Sequence, residues 1–200
     1  MGIENPSYLD VGAADPKSLN NTYLLYKNGC SGVLVEPNPY FVQQIKKIRP
    51  HDRVFQGGVG PVTQEEQPYY ILSNPFFNTF DKDTIEKITC NSTIEIIKEI
   101  SVPIIGINDL ISKFFNHPPN FFSLDVEGVD LKVMKAFDFH SYAPEIICVE
   151  SISHPYTHDT EEKVNDICEL MEKNGYMMFA DTYINSIFVL REKWENRVKQ

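Results

Sequence analysis

Residues Tyr8–Gly29 read YLDVGAADPKSLNNTYLLYKNG. An apolar run ends in an acid, Asp10, and a glycine turn follows at Gly12. A helix-like stretch carrying Leu24 and Leu25 comes next and stops at Gly29, a residue suited to the left-handed position just past a helix end. The following segment, GVLVEPN, repeats the design: an apolar run, then an acid, Glu36, then a helix start. Asn38 is a fitting N-cap and Pro39 suits the first helical position. Phe41, Ile45 and Ile48 share a face, and Pro50 ends the segment. Strand, turn, helix and strand in this order make a βαβ unit, and such units build a mostly parallel sheet with helices on both faces.

The rest of the chain keeps that rhythm. DRVFQGGVG reads as a third short strand, and PYYILS and SVPIIGI as strands flanking a helix-like stretch from Asp81 to Glu99. PNFFSLDVEGVD is a strand ending in acids, with Val133, Met134 and Phe137 in the short helix behind it, and PEIICVES repeats the pattern. From Thr160 to Asn174, Val164, Ile167, Cys168 and Met171 fall at helical spacing before Gly175. The tail YMMFADTYINSIFVLRE is two apolar runs around a polar turn, an antiparallel pair that closes the sheet. With 200 residues, 42% of them hydrophobic, and neither repeat nor linker, residues 1–200 read as one domain.

Composition narrows the functional classes. Eighteen Lys and Arg stand against 28 Asp and Glu, a net charge of −10 that repels phosphate backbones, so nucleic acid is not expected as a partner. The basic cluster QQIKKIRPHDR reads as the solvated face of a helix. Cys30, Cys90, Cys148 and Cys168 show no CxxC spacing and read as reduced thiols. Neither a basic, apolar leader nor an apolar run of about 18 residues is visible, so no membrane insertion is expected and the cytoplasm is the expected location.

In parallel sheets ligands bind beyond the carboxyl ends of the strands. Four ends carry polar groups here: Asp10 with Gly12, Glu36 with Asn38, Asp125 with Glu127, and Glu150 with Ser151. Carboxylates are rarely buried unpaired, so four strands ending this way mark a ligand cleft rather than packing. The spacing from Gly12 to Glu36 puts an acid where it accepts both hydroxyls of a ribose. The first turn lacks G-x-G-x-x-G, and Asp15 within it repels a diphosphate. A cofactor with adenosine, a sulfonium and an amino-acid tail fits better, with Asp10 and Asp125 placed to hold its ammonium group. S-adenosylmethionine has that description.

LDVGAADPKSLNNTYLLYKNGCSGVLVEPNP, SLDVEGVDLKVMKAFDF and FADTYINSIFV together resemble the FkbM family of S-adenosylmethionine-dependent methyltransferases, over roughly Tyr8 to Leu190. Many members carry a second glycine in the first turn, where this chain has Ala14 to Lys17. The resemblance implies a Rossmann-like class I methyltransferase fold, an α/β sheet of seven strands with the last antiparallel, and O-methyl transfer to a hydroxyl of a sugar, glycan or related small-molecule substrate. It implies that Gly12 and Ala13 let the backbone approach the cofactor, that Glu36 binds the ribose, and that a strand-end turn at Gly58 and Val59 lies against the adenine. Asn21, Thr22 and Asn38 complete the candidate cofactor-binding set.

Methyl transfer to an alcohol needs the oxygen in line with the methyl group and its proton removed, work for which Asp125, Glu127 and His154 are the candidates. Several site residues have a plainer reading: Gly12 as a tight turn, Glu127 as a helix-start carboxylate, His154 as a loop residue, Asp181 and Asn185 as the shapers of the last hairpin. A divalent ion at Asp125, Glu127 and Asp181 is left open. An NAD-type oxidoreductase and a non-catalytic adenosyl-binding module are the alternatives.

Overall fold

Each apolar run of the βαβ reading is a strand, and the strands assemble in the order their turns dictate. The computed structural model describes residues 2–126, 129–151 and 165–197. Seven strands form the main sheet: β1 (Tyr8–Val11), β2 (Gly32–Glu36), β3 (Arg53–Gln56), β7 (Phe121–Leu124), β8 (Ile146–Glu150), β9 (Tyr176–Asp181) and β10 (Asn185–Leu190). Their order is β3-β2-β1-β7-β8-β10-β9. All neighbours from β3 to β8 run parallel, and β10 runs antiparallel to both β8 and β9. The chain starts in the middle of the sheet, winds outward, returns to the other side, and slips its last strand in reversed.

Side-chain alternation splits the sheet into two faces. Leu9, Val11, Val33, Val35, Phe122, Leu124, Ile147 and Val149 form the main core with Ile107, Leu110 and Ile111 of α4 (Ile107–Phe114), Val133 and Met134 of α5 (Asp130–Ala136), and Ile167 and Met171 of α6 (Asn165–Lys173). The opposite face presents Tyr8 and Leu34 to Leu25 and Tyr26 of α1 (Tyr23–Lys27) and to Ile45 of α2 (Pro39–Ile48). Helices therefore cover both faces.

Local punctuation behaves as read. The Asn38 side chain accepts from the Tyr40 amide at 3.0 Å with Pro39 at the first helical position, and Gly29 and Gly175 take left-handed φ values of 89° and 84° past their helix ends. On α2 the deepest residues are Val42 and Ile45.

The middle of the chain departs from expectation. DRVFQGGVG is two strands broken at Gly57: β3 ends at Gln56, and β4 (Gly58–Gly60) pairs with β6 (Ile96–Gly106) in a separate three-stranded sheet, β4-β6-β5, completed by β5 (Gln64–Leu72). The helix-like stretch to Glu99 shortens to α3 (Lys82–Asn91), because pairing with β5 draws Ile96 onward into β6. α4 and the terminal α7 (Arg191–Asn196) were not anticipated. No helix among the described residues is long and apolar enough to cross a membrane.

Candidate functional site

The strand order reverses between β1 and β7, the crevice where open α/β sheets take their ligands. Gly12 sits at this point with φ 84°. A Cβ built on it stands 1.7 Å from the Asp125 carbonyl oxygen, so no other residue fits. The Gly12 and Ala13 amides donate to the Val35 carbonyl at 3.1 and 3.2 Å, and the Asp125 amide donates to Val11 at 3.0 Å. The first turn is thus wedged between the ends of β2 and β7. Ala14 follows with φ 42°, the left-handed conformation a second glycine would adopt without strain. Asp15 closes the loop as an Asx turn, accepting from the Lys17 and Ser18 amides.

Glu36, only 3% exposed, ends β2 facing that turn. Its two oxygens accept from the Ala14 amide at 2.9 Å and the Asn38 amide at 2.7 Å, so one carboxylate ties the β1 turn to the start of α2. Burial pushes its pKa up to about 7 against those two hydrogen bonds, and Asp10 adds to the rise. Each carboxylate oxygen has a second lone pair, so the group keeps capacity for two further donors.

Asp10 lies on the α1/α2 face, and its Oδ2 accepts from Thr22 Oγ1 at 2.6 Å and from Asn20 Nδ2 at 3.1 Å. Behind them is Arg49, fully buried. It donates from Nη1 to Asn20 at 2.9 Å, from Nη2 to Thr22 at 2.9 Å and to the Tyr8 hydroxyl at 3.1 Å, and from Nε to Asp52 at 2.7 Å. Tyr8 donates in turn to Asp52 at 2.7 Å. Burial raises the Asp10 pKa, while Thr22 and Arg49 oppose the rise. The basic cluster read as a solvated face is thereby corrected at one position: Lys46 and Lys47 are exposed, but the Arg49 guanidinium is the centre of a buried network. Sequence reasoning gives neither Arg49 nor Asn20 a part in the site; for Arg49 the signal is Asp52, an acid three residues after it, with the reach of an ion pair.

Two polar rows continue across the sheet on the same face. The inner row is Asp10, Ser123 and Cys148, which the register sets side by side, and Asn21 donates to the Ser123 hydroxyl at 3.0 Å. Burial and the charges of Asp125 and Asp10 push the Cys148 thiol up to about 12, so it stays neutral. One residue further out, past the Leu124–Val149 pair, Asp125 follows the end of β7 and Glu150 ends β8, and Glu150 is paired with Asn185. Asn185 Oδ1 is buried with no hydrogen-bond partner among the described residues.

Two expectations change. Gly58 and Val59 are not a strand-end turn: both are buried in β4, Gly58 beneath the Phe80 ring and Val59 within the main core. Asp181 does not approach Asp125. It ends β9, three strand spacings from β7, or roughly 14 Å, whereas two ligands of one ion stand within about 5 Å of each other. Its Oδ1 accepts instead from the Tyr183 amide at 2.7 Å in the last hairpin. Among the described residues no group of three His, Cys, Asp or Glu side chains is placed to hold a metal ion. Glu127 and His154 lie outside the described residues.

The family profile described as the methyltransferase FkbM domain matches residues 10–178. No curated protein matches the chain. Among solved structures, a methyltransferase FkbM from Methylobacillus flagellatus KT is 14% identical with a TM-score of 0.49, covering 92% of this chain and 43% of its own. A TehB-like SAM-dependent methyltransferase from Corynebacterium glutamicum is 10% identical with a TM-score of 0.46, covering 94% and 82%. A fibrillarin pre-rRNA processing protein from Methanococcus jannaschii is 8% identical with a TM-score of 0.49, covering 94% and 67%. The chain thus spans less than half the length of the Methylobacillus protein.

Proposed function

The chain belongs to the FkbM methyltransferase family, and from that premise we propose that residues 1–200 form one domain that transfers a methyl group from S-adenosylmethionine to a hydroxyl of a sugar, glycan or related metabolite. The observation that carries the reading is Glu36. It stands at the carboxyl end of the strand beside the switch point, anchored by two backbone amides and with lone pairs left for two hydroxyl donors. The rim chemistry fits the same donor. Asp10, Glu36 and Asp125 gather negative charge where a sulfonium and an ammonium group need it. When bound, S-adenosylmethionine supplies an electrophilic methyl group.

In this reading Glu36 holds the ribose, and Asp10 offers its Oδ1 to the ammonium group while Oδ2 stays with Thr22 and Asn20. The Gly12–Ala13 backbone forms the floor and Asn38 the wall of the donor site. Asn21, Ser123 and Asp125 line its far side. Asp125, Glu127 and His154 are the groups for orienting the acceptor hydroxyl and taking its proton, a task requiring one of them within hydrogen-bond reach of that oxygen. The acceptor is a small molecule or glycan rather than a nucleic acid, since the chain carries a net charge of −10. A cytoplasmic setting, where the donor is made and thiols stay reduced, suits the four cysteines, none of which forms a disulfide.

Calorimetric titration with S-adenosylmethionine, S-adenosylhomocysteine and NAD tests the donor, and transfer of a labelled methyl group to a panel of glycosides and free sugars tests the acceptor. Saturable binding of the first two ligands and none of NAD is expected. NAD binding without S-adenosylmethionine binding overturns the reading; donor binding with transfer to no acceptor of any class makes the chain a binding module.

A further inference from the structure

The Arg49 network is more than ballast under the sheet, because one of its members reaches out of it. Asn20 has its carbonyl oxygen gripped from below, by Arg49 Nη1 at 2.9 Å and by the Thr22 amide at 3.1 Å. Its amide nitrogen points the other way and donates twice, to Asp10 Oδ2 at 3.1 Å and to the Ala13 carbonyl at 2.9 Å. The planar amide is therefore a rigid spacer between a buried guanidinium and the Gly12–Ala14 turn. That turn needs holding. Gly12 and Ala14 both have positive φ, Asp125 presses on it from β7, and its three amides are committed to Val35 and Glu36. Glu36, on the β2 side, and Asn20, on the α1 side, grip it from two directions.

We propose that Asn20, fixed by Arg49, is the positioning residue of the donor site: it sets the place of the Ala13 carbonyl and the rotamer of Asp10, and through them the affinity for S-adenosylmethionine. This rests on the function proposed above and adds a residue to it. The geometry also couples charge to position. Asp10 is faced by Arg49 at the end of α2, Asp52 before β3, Glu36 on β2, Cys148 on β8, and Thr22 and Asn20 leading into α1. Arg49 is the cation among them, and its contact with Asp10 passes through Thr22 and Asn20.

The test uses the whole chain with Asn20→Ala, Asn20→Asp and Arg49→Lys. Asn20→Asp keeps an acceptor for Arg49 but removes both donated bonds and places a second carboxylate beside Asp10; Arg49→Lys keeps the charge but loses the planar fork. Two measurements are made at a temperature where every variant is fully folded by near-ultraviolet circular dichroism. The first is amide hydrogen exchange at Gly12, Ala13 and Ala14 without ligand; the second is the dissociation constant for S-adenosylhomocysteine from pH 5.5 to 8.5. Asn20→Ala and Asn20→Asp are expected to speed exchange at those three amides while leaving β7 and α2 protected. They are expected to weaken binding about tenfold, the scale of two lost hydrogen bonds. Asn20→Asp should add a steeper loss of affinity toward low pH, and Arg49→Lys should fall between it and the wild type.

Binding within twofold of wild type in Asn20→Ala overturns the proposal, whether or not exchange changes. Unchanged exchange at the turn overturns it too, because weakened binding would then come from elsewhere. If the wild-type chain binds neither S-adenosylhomocysteine nor S-adenosylmethionine, the proposed function fails and this inference fails with it; faster exchange at the turn in the variants then shows that the clip is purely structural.

Discussion

Gly12 and Asp125 touch backbone to backbone across the switch point: a Cβ on the glycine would stand 1.7 Å from the Asp125 carbonyl oxygen. The glycine that looks like a cofactor turn in the sequence is required by the protein itself, before any ligand arrives. Gly12→Ala is therefore expected to cost about 3 kcal/mol or more, from a left-handed φ for alanine plus a main-chain collision that forces β1 and β7 apart. Urea unfolding measures it. A loss under about 1 kcal/mol would mean that the two strand ends separate easily.

Ala14 offers the opposite change. With φ at 42° it holds a conformation that costs a side-chain-bearing residue, and glycine removes that cost at the price of a more flexible unfolded chain. Ala14→Gly should leave the protein equally stable or more stable, by up to about 1 kcal/mol, with the Glu36 contact to the residue 14 amide intact. Thermal unfolding decides, and a clear drop in midpoint would show that the turn is relaxed as it stands.

Glu36 predicts a pH dependence whose sign follows from its raised pKa of about 7 against an ordinary 4.5. Below 4.5 both folded and unfolded chains hold the proton, and this residue imposes no penalty. Between 4.5 and 7 the unfolded chain releases it while the folded chain keeps it, so stability falls by about 3 kcal/mol and then levels off. Glu36→Gln should flatten that part of the stability profile relative to wild type. Donor binding runs the other way, since ribose hydroxyls favour the carboxylate: affinity should rise toward pH 7 with proton release. The variant should lose about 1.5–3 kcal/mol of binding together with that rise. Equal profiles for the two proteins would remove the ribose assignment.

Arg49 and Asp52 form an ion pair with no exposed side-chain surface, at 2.7 Å. Removing one partner strands the other charge in the interior, so Arg49→Met should destabilise by about 3–5 kcal/mol, far beyond the effect of a surface pair. Chemical denaturation of Arg49→Met beside Lys46→Met, on the exposed side of the same helix, makes the comparison. Equal losses would place Arg49 among the solvated charges.

The proton-transfer assignment is tested at Glu127. Glu127→Gln is expected to preserve donor affinity and to slow single-turnover methyl transfer by about 100-fold, the usual scale for a positioned acid or base. A rate within about threefold of wild type would return the residue to the part of a helix-start carboxylate.

The βαβ rhythm, the Asn38 cap, the glycine stops and the row of strand-end acids could all be read from the chain, because each depends on residues within a turn or two of one another. Asp10 and Glu36 stood out for a related reason: an acid closing an apolar strand is costly wherever the strand ends up. What escaped was set by partners far away in sequence. Gly57 breaks a continuous-looking strand because β4 finds β6, nearly fifty residues on, and not β2's edge. Asp125 and Asp181, both strand-end acids, never meet because two strands come between them. Arg49 sits among lysines that point to water, and its burial follows from Tyr8, Asn20, Thr22 and Asp52 closing around it. Helix periodicity places such a side chain on a face; whether that face meets water or a ring of acceptors depends on packing between segments that local pattern cannot see.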